Sequence, residues 1–335
     1  MIMREGLKYI VLSGEHRTLP RAEVIAVAEA EDINLRIVEQ LDQLLIVEAG
    51  PTIHKALRTR SALARFGGDV VGVFDLPLDT EDLRRLLKDV GTSELRVEFT
   101  RLRGYGRAGI RYADVVDAAR GAGLRTKGGE GVIDVVVIGG ILIVGLRRFE
   151  VREAWFRVRD PPKRPVYMPG TMTAKLSRVF VNLSRVKRSG LLYDPFCGVG
   201  SMLIEACVIG SRPVGVDIDE RRVVGAAINV EHYGCPPAIV ASDVCGSPVW
   251  RADAVATDPP YGRMTRAEGT DIWGLMNCFL DHLADALIPG GYGVFAQALE
   301  YVDDEAVEER GLKIIEVHRN WVHGSLVREI YVVRK

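Results

Sequence analysis

The tetrapeptide Asp258-Pro259-Pro260-Tyr261 follows an apolar run, Ala252–Thr257, and combines groups that suit a flat base with an exocyclic amine. The carboxylate and the Pro259 carbonyl can accept hydrogen bonds from the amine, while the Tyr261 ring can stack on the base. The two prolines stiffen the backbone and have no N–H to donate. As a string of four residues the pattern is only moderately specific, because two prolines in a loop often form just a stiff turn.

A glycine loop lies upstream, between an apolar strand and a helix, in Asp194-Pro195-Phe196-Cys197-Gly198-Val199-Gly200. Gly198 and Gly200 let the backbone approach a ligand closely, and the start of the helix offers free N–H groups. A loop that binds pyrophosphate would read Gly-x-Gly-x-x-Gly, and this one does not. Asp194 would repel a pyrophosphate and would favour an ammonium group instead.

Two further acids follow the next two strands in order. Asp217 can accept hydrogen bonds from both ribose hydroxyls of a nucleotide-like ligand, although on its own it could, like Asp219, simply cap the helix that starts near Glu220. Asp243 is placed to accept from the N6 amine of adenine, and Ile218 offers an apolar platform for the adenine ring. An ammonium and a ribose together predict S-adenosylmethionine as the ligand, and Asp243 and Ile218 are then placed at its adenine.

The second half of the chain, which must position these groups, alternates strand-like and helix-like segments and predicts a mostly parallel, doubly wound sheet. The expected strands are Leu191–Asp194, Pro213–Asp217, Ala238–Ala241, Ala252–Thr257, Gly291–Ala296, Leu312–His318 and Leu326–Arg334, with the last two as an antiparallel hairpin at the sheet edge. The expected helices are Ser201–Gly210, Glu220–Tyr233 and Ile272–Leu287. The glycine loop and the acids then share the carboxyl edge of the sheet, where ligands of open α/β sheets bind. This ordered set predicts methyl transfer to an aromatic amine.

The first half of the chain has an α+β pattern with short hairpins. The expected strands are Lys8–Leu12, Asn34–Gln40, Gln43–Glu48, Leu95–Arg101, Val132–Ile138 and Ile141–Leu146, and the expected helices are Arg21–Glu31, His54–Leu63 and Tyr112–Ala119. A basic, proline-rich segment, Asp160–Pro165, indicates a linker between the halves.

The motifs of the second half resemble those of class I methyltransferases that act on amino groups. Met168–Leu176 is similar to the motif before the first strand of tRNA guanine-N2 methyltransferases, where it helps to hold the methionine end of the cofactor. That family usually has proline where this chain has Ala174. Thr257–Arg263 looks most like the archaeal-type family that methylates guanosine 10 of tRNA. The N-terminal half is similar, more loosely, to the THUMP module that such enzymes carry after a small ferredoxin-like domain.

The resemblance implies a class I Rossmann-like methyltransferase domain, with an antiparallel last strand, behind an α+β module that contains THUMP. We expect a ferredoxin-like domain at residues 1–90, a THUMP portion at 91–158, a linker at 159–170 and the methyltransferase domain at 171–335. The expected cofactor-binding residues are Thr171, Asp194, Phe196, Gly198, Gly200, Asp217, Ile218 and Asp243, and the expected catalytic residues are Asp258, Pro259, Pro260 and Tyr261. The expected substrate is a guanosine in tRNA, methylated on its N2 amine.

Local charge supports an RNA partner although the net charge of the chain is only −1. Residues 145–190 carry about twelve Lys and Arg against three Asp and Glu, and residues 96–127 carry about eight against three; such stripes attract phosphates. The loop that best suits RNA has arginines around an aromatic residue: Arg101, Arg103, Tyr105, Arg107 and Arg111. The alternative for these residues is a solvated loop without a ligand.

The remaining composition favours a cytoplasmic protein that needs no metal and no membrane. No apolar run reaches the length of a membrane span, and Met1–Leu12 lacks the pattern of a signal peptide. The five cysteines include no Cys-x-x-Cys pair, so we expect reduced thiols rather than a disulfide framework or a zinc site.

Several alternatives stay open. Adenine-N6 and cytosine-N4 methyltransferases of DNA need the same groups as Asp258–Tyr261, and a guanine-N2 enzyme could act at tRNA position 6 or on ribosomal RNA. A non-catalytic RNA-binding protein could keep the fold, although four intact acids argue against it. A nicotinamide dehydrogenase is disfavoured by the glycine loop. The modified nucleotide, mono- or dimethylation, the oligomeric state and any protein partner are not readable from the sequence.

Overall fold

The computed structural model describes residues 6–90, 92, 94–103, 109–260, 272–298, 303–323 and 326–335, with the side chains of Val322, His323 and Leu326 excepted. The chain divides into two compact units. The first consists of Met1–Arg21, Asp32–Thr59 and Leu63–Val151, and the second of Ala22–Glu31, Arg60–Ala62 and Arg152–Lys335.

The first unit is built on one mixed sheet. Its strands are β1 (Leu7–Leu12), β2 (Leu35–Leu41), β3 (Leu44–Ala49), β4 (Ala64–Asp75), β5 (Leu95–Arg101), β6 (Gly131–Ile138) and β7 (Ile141–Glu150), in the order β2-β3-β1-β4-β7-β6-β5. Its helices are α2 (Thr52–Arg60), α3 (Thr80–Val90) and α4 (Tyr112–Gly121). Most neighbouring strands are antiparallel, whereas β5 and β6 are parallel. The expected α+β pattern is present.

Two elements of this unit escaped the sequence prediction. Strand β4 was missed because its glycines and Asp69 interrupt the apolar alternation that marks a strand. The glycines serve close packing: a Cβ on Gly68 would lie 1.9 Å from the carbonyl oxygen of Leu146 on the neighbouring strand. Helix α3 is amphipathic and buries Leu83, Leu86 and Leu87 against the sheet.

The second unit has a Rossmann-like sheet. Its strands are β8 (Leu191–Asp194), β9 (Arg212–Asp217), β10 (Ile239–Ala241), β11 (Ala252–Thr257), β12 (Leu287–Ala298), β13 (Lys313–His323) and β14 (Leu326–Arg334), in the order β10-β9-β8-β11-β12-β14-β13. Its helices are α1 (Leu19–Ala30), α5 (Ala154–Arg157), α6 (Ala174–Leu183), α7 (Ser201–Val208), α8 (Glu220–His232), α9 (Ile272–Ala286) and α10 (Asp304–Glu308). Strands β10, β9, β8, β11 and β12 are parallel, and β14 is antiparallel to β12 and β13.

This topology confirms the doubly wound sheet and the terminal antiparallel hairpin. Strands β8, β11 and β14 have the bounds that the apolar runs predicted, because short runs of buried residues between turn signals are well marked. Helix α6, which precedes the sheet, was not predicted; Thr173 caps it by accepting a hydrogen bond from the Leu176 N–H.

The prediction of reduced thiols is wrong for four of the five cysteines. The structure joins Cys207 to Cys235 and Cys245 to Cys278, and leaves Cys197 free and buried. Separations of 28 and 33 residues in sequence say nothing about proximity, whereas packing brings the Cα atoms of the two pairs to 6.2 and 5.5 Å.

Within the described ranges, no helix combines the length and the apolar character that crossing a membrane requires. The same ranges contain no group of three or more His, Cys, Asp or Glu side chains that could hold a metal ion.

Candidate active site

The register of the parallel strands brings the predicted acids to one edge of the second unit's sheet. Asp194 is aligned with Gly215 on β9, and Ala241 on β10 is aligned with Asp217. Strand β11 pairs with β8 on one side and with β12 on the other, so that Asp258 follows it at the same edge. The carboxyl ends of parallel strands necessarily share an edge, and the four acids therefore lie at that edge.

Asp217 is held by backbone donors of the glycine loop and of the turn after β9. Its carboxylate accepts from the Gly198 N–H at 2.9 Å and from the Asp219 N–H at 3.0 Å, and the residue is 5% exposed. Gly198 and Gly200 have φ angles of +53° and +87°, a region that L side chains rarely adopt. Each carboxylate oxygen has a second lone pair, so Asp217 can also accept from ribose hydroxyls.

Asp194 is more deeply buried than the other acids of the site. Its Oδ1 accepts from the Thr257 hydroxyl at 2.6 Å and from the Phe196 N–H at 3.2 Å. Burial raises the pKa of Asp194 to about 7, with nearby Asp217 and Asp258 adding to the rise. A cationic group beside this carboxyl would stabilise its ionised form, as the ammonium of S-adenosylmethionine would.

The expected adenine side of the site has one apolar and one acidic group. Ile218 is 72% exposed, which fits a platform that a ring can cover. Asp243 is exposed, and its Oδ1 accepts from the Cys245 N–H at 2.9 Å, which caps the 3-10 turn Val244–Gly246. This capping bond occupies one lone pair of the carboxylate and leaves others for an amine.

The segment before helix α6 is tied to the start of α7. The Thr171 hydroxyl donates to the Met168 carbonyl at 2.6 Å, and the Ser201 hydroxyl donates to the Met172 carbonyl at 3.2 Å. Buried Arg164 donates to the Ser201 oxygen from the other side. Thr171 therefore lies close to the N-terminus of the helix that follows the glycine loop. The glycine loop, the acids and the apolar side chain of Ile218 together fit S-adenosylmethionine.

Asp258 is held differently, by a side chain from a distant strand. The Arg328 guanidinium on β14 lies 3.3 and 3.2 Å from the two carboxylate oxygens of Asp258. Pro259 is buried and Pro260 is half-buried, so that they fix the backbone after β11. The predicted stacking residue, Tyr261, lies outside the described residues.

Two contacts of this site were missed by the sequence reasoning, one of them made by Thr257, which had been named only as part of the motif Thr257–Arg263. Thr257 bonds to Asp194, and its place at the end of β11, opposite the end of β8, could have indicated that contact. Arg328 has no local signal, because it sits in an ordinary strand 70 residues after Asp258. Only the register of β14 shows that the two side chains meet.

The predicted RNA-contact residues lie in the first unit. Arg101 is exposed and donates to the Ile110 carbonyl at 3.1 Å, Arg103 is exposed, and Arg111 is exposed and paired with Asp114 at 2.8 Å. Tyr105 and Arg107 lie outside the described residues. All three described arginines are thus accessible to solvent, and Arg101 and Arg111 are also held by contacts within the unit.

The basic stretch 145–190, in contrast, contains several arginines that serve the fold of the second unit. Arg159 and Arg178 both pair with Glu205, whose side chain is fully buried, at 2.6 and 2.7 Å. Arg185 pairs with Glu29 at 2.6 Å. Because these cations already have internal anions, the charge count of this stretch overstates its attraction for phosphates.

Comparison with known proteins identifies relatives along nearly the whole chain. A family model with the description "RMKL-like, methyltransferase domain" matches residues 161–330. The tRNA (guanine(10)-N2)-dimethyltransferase of Methanothermobacter thermautotrophicus is 32% identical, covering 97% of this chain and 98% of its own. The protein of the same name from Pyrococcus abyssi is 30% identical, covering 97% and 98%.

Solved structures show the same fold at low identity. TrmN from Thermus thermophilus superposes with a TM-score of 0.55 at 19% identity, over 98% of this chain and 99% of its own. The methyltransferase SMU.472, complexed with SAH, gives a TM-score of 0.53 at 14% identity, over 98% of each chain. The predicted Rossmann-like fold is confirmed. With relatives of at least 30% identity along nearly its entire length, the chain belongs to the archaeal tRNA (guanine(10)-N2)-dimethyltransferase family.

Proposed function

We propose that this protein transfers methyl groups from S-adenosylmethionine to the N2 amine of guanosine 10 in tRNA. The observation that carries the proposal is the Asp258 carboxylate, which lies at the same sheet edge as the glycine loop and the cofactor acids Asp194 and Asp217. Family membership supports the substrate. The relatives are named dimethyltransferases, and we extend the dimethyl product to this chain.

The chemical task of the site is to make a poor nucleophile attack. The lone pair of an aromatic amine is delocalised into the ring. S-adenosylmethionine would supply the methyl group as an electrophile, with the methyl–sulfur bond breaking and S-adenosylhomocysteine as the leaving group. In the first transfer, Asp258 and the Pro259 carbonyl accept hydrogen bonds from the two N–H groups of guanine N2 and so localise its lone pair; in the second transfer one N–H remains to be accepted. Fixed acceptors also orient the amine, and orientation alone supplies much of the acceleration of a two-reactant step.

The proton that leaves N2 after the transfer passes to Asp258, directly or through water. The base must first leave the tRNA stack, and Tyr261 stacks on it in this proposal; such stacking contributes roughly 1–3 kcal/mol. Asp194 would pair with the ammonium of the cofactor, and Asp217 would accept hydrogen bonds from its ribose. Asp243 and Ile218 would contact its adenine. Thr171, Phe196, Gly198 and Gly200 complete the methionine side.

The first unit holds the tRNA through phosphates in this proposal, with Arg101, Arg103 and Arg111 among its contacts. The triple Ala variant of these three residues should weaken tRNA binding uniformly and reduce the slope of log K against log salt concentration by about two to three. Filter binding between 50 and 300 mM salt measures the slope. Arg85→Ala, at another exposed arginine of this unit, is the matched control. An unchanged slope in the triple variant would remove these arginines from the interface.

The activity is tested by incubating the purified protein with unmodified tRNA and labelled S-adenosylmethionine, and by mapping the product nucleosides by mass spectrometry. We expect N2,N2-dimethylguanosine at position 10. Label at position 6, in ribosomal RNA or in duplex DNA instead would establish one of the alternative substrates. A tRNA substrate also favours the expected cytoplasmic location, which remains a prediction. The THUMP assignment and the four-part domain division likewise remain predictions.

A further inference from the structure

Arg328 reaches the Asp258 carboxylate from two strands away. Its Cα is paired with Ala298 on β12 and with Asn320 on β13, whereas Asp258 follows β11 on the far side of β12. Neighbouring strands are roughly 4.8 Å apart, so an extended arginine is long enough to span the intervening strand. The Arg328 side chain is 9% exposed and that of Asp258 is 24% exposed. The contact is therefore built into the sheet rather than made by two surface side chains.

Charges of both signs lie near Asp258. Asp194 at the end of β8 lies near enough for Asp258 to contribute to the rise of its pKa, and Asp217 at the end of β9 contributes as well. Because the interaction between two like charges is mutual, Asp194 opposes the ionisation of Asp258, whereas Arg328 favours it. Like charges in one site discourage full ionisation, whereas an opposite charge within about 4–6 Å favours it.

The chemistry requires an ionised Asp258. A protonated carboxyl keeps one acceptor oxygen but presents an O–H donor and cannot take up the proton that the amine releases, whereas the carboxylate accepts at both oxygens and can take up that proton. One Arg328 nitrogen lies within 3.3 Å of both oxygens and so also limits rotation of the carboxylate.

We propose that Arg328 is a positioning residue that keeps Asp258 ionised and fixes the direction in which its carboxylate accepts the amine. This inference rests on the proposed function for its role in methyl transfer. The ion pair itself can be measured without activity.

The test compares Arg328→Gln, which removes the charge, with Arg328→Lys, which keeps it. In single-turnover methylation of tRNA, the acid limb of the pH–rate profile should move upward by about one to three pH units in Arg328→Gln and stay near its wild-type position in Arg328→Lys. The matched control is Arg319→Gln on the neighbouring strand, an exposed arginine that pairs with Glu329. Arg319→Gln should leave the acid limb of the pH–rate profile at its wild-type position.

The pKa of Asp258 can be measured directly by following its carboxyl carbon signal with 13C NMR as the pH is changed. The signal is assigned by its absence from the spectrum of Asp258→Asn. The midpoint should rise in Arg328→Gln and be restored in Arg328→Lys. Equal midpoints and equal acid limbs in wild type and Arg328→Gln would overturn the proposal, as would a loss of rate that is the same at every pH. A wild-type protein that does not methylate tRNA would refute the proposed function. The NMR titration would still show whether Arg328 lowers the pKa of Asp258.

Discussion

Asp217 and Asp258 lie at the same edge of one sheet, but different kinds of atoms hold them. Asp217 is fixed by backbone N–H groups from the loops next to it, those of Gly198 and Asp219. Asp258 is fixed by the side chain of Arg328, which comes from another strand. The proposed cofactor half of the site is thus organised by local chain geometry, and the proposed base-binding half by tertiary packing. Because the two acids have different partners, we expect a substitution in one half to change its own function, cofactor affinity or methyl transfer, with little effect on the other.

The largest expected effect comes from removing the acceptor in the base-binding half. Asp258→Ala should reduce methyl transfer by at least about 10²–10⁴-fold, because it removes both the N–H acceptor and the route for the proton. The dissociation constant of S-adenosylmethionine, measured by calorimetry, should change less than about threefold, since the cofactor acid Asp217 is held by the Gly198 and Asp219 N–H groups, which this substitution leaves in place. Retention of nearly full activity would remove Asp258 from the reaction.

A second effect, on cofactor affinity, should come from the other half. Asp217→Ala should raise the dissociation constant of S-adenosylmethionine about 10- to 100-fold, because it removes the charged carboxylate that accepts hydrogen bonds from the ribose hydroxyls. Asp219→Ala is the matched control: Asp219 caps α8 by accepting from the Arg221 N–H, so its loss should cost about 1 kcal/mol of stability and leave affinity almost unchanged. Equal affinities of the two variants would reduce Asp217 to a cap as well.

A smaller effect should appear as a pH dependence of cofactor binding. Asp194 has a pKa of about 7 against an ordinary value of 3.8, so it is partly protonated near neutral pH. Its contribution to the stability of the ligand-free protein is full below pH about 4 and is lost as the pH rises through 7. Because an ammonium prefers the ionised carboxyl, the dissociation constant should fall roughly five- to tenfold between pH 6 and 7.5, with proton release.

Calorimetry in two buffers of different ionisation enthalpy measures the number of protons released. Asp194→Asn should bind more weakly, with no proton release and a flat profile over the same pH range. A wild-type profile as flat as that of the variant would contradict the assignment of Asp194 to the ammonium.

The same division explains which features the sequence could predict. Strands β8 and β11, the glycine loop and the acids at the strand ends follow from short apolar runs and local turn chemistry. Arg328 could not be predicted, because its meeting with Asp258 depends on the register of a strand far along the chain. Strand β4 was missed because its glycines serve contacts with β7 that only the folded sheet shows. The two cysteine pairs were missed for the same reason.

The central claim is that the N2 amine of guanosine 10 is the methyl acceptor held by Asp258. It is tested most directly with two tRNA transcripts that differ only at position 10, one with guanosine and one with inosine, which is the same base without the N2 amine. The account predicts that both bind with similar affinity and that only the guanosine transcript takes up label from S-adenosylmethionine. Equal incorporation into the inosine transcript would contradict it.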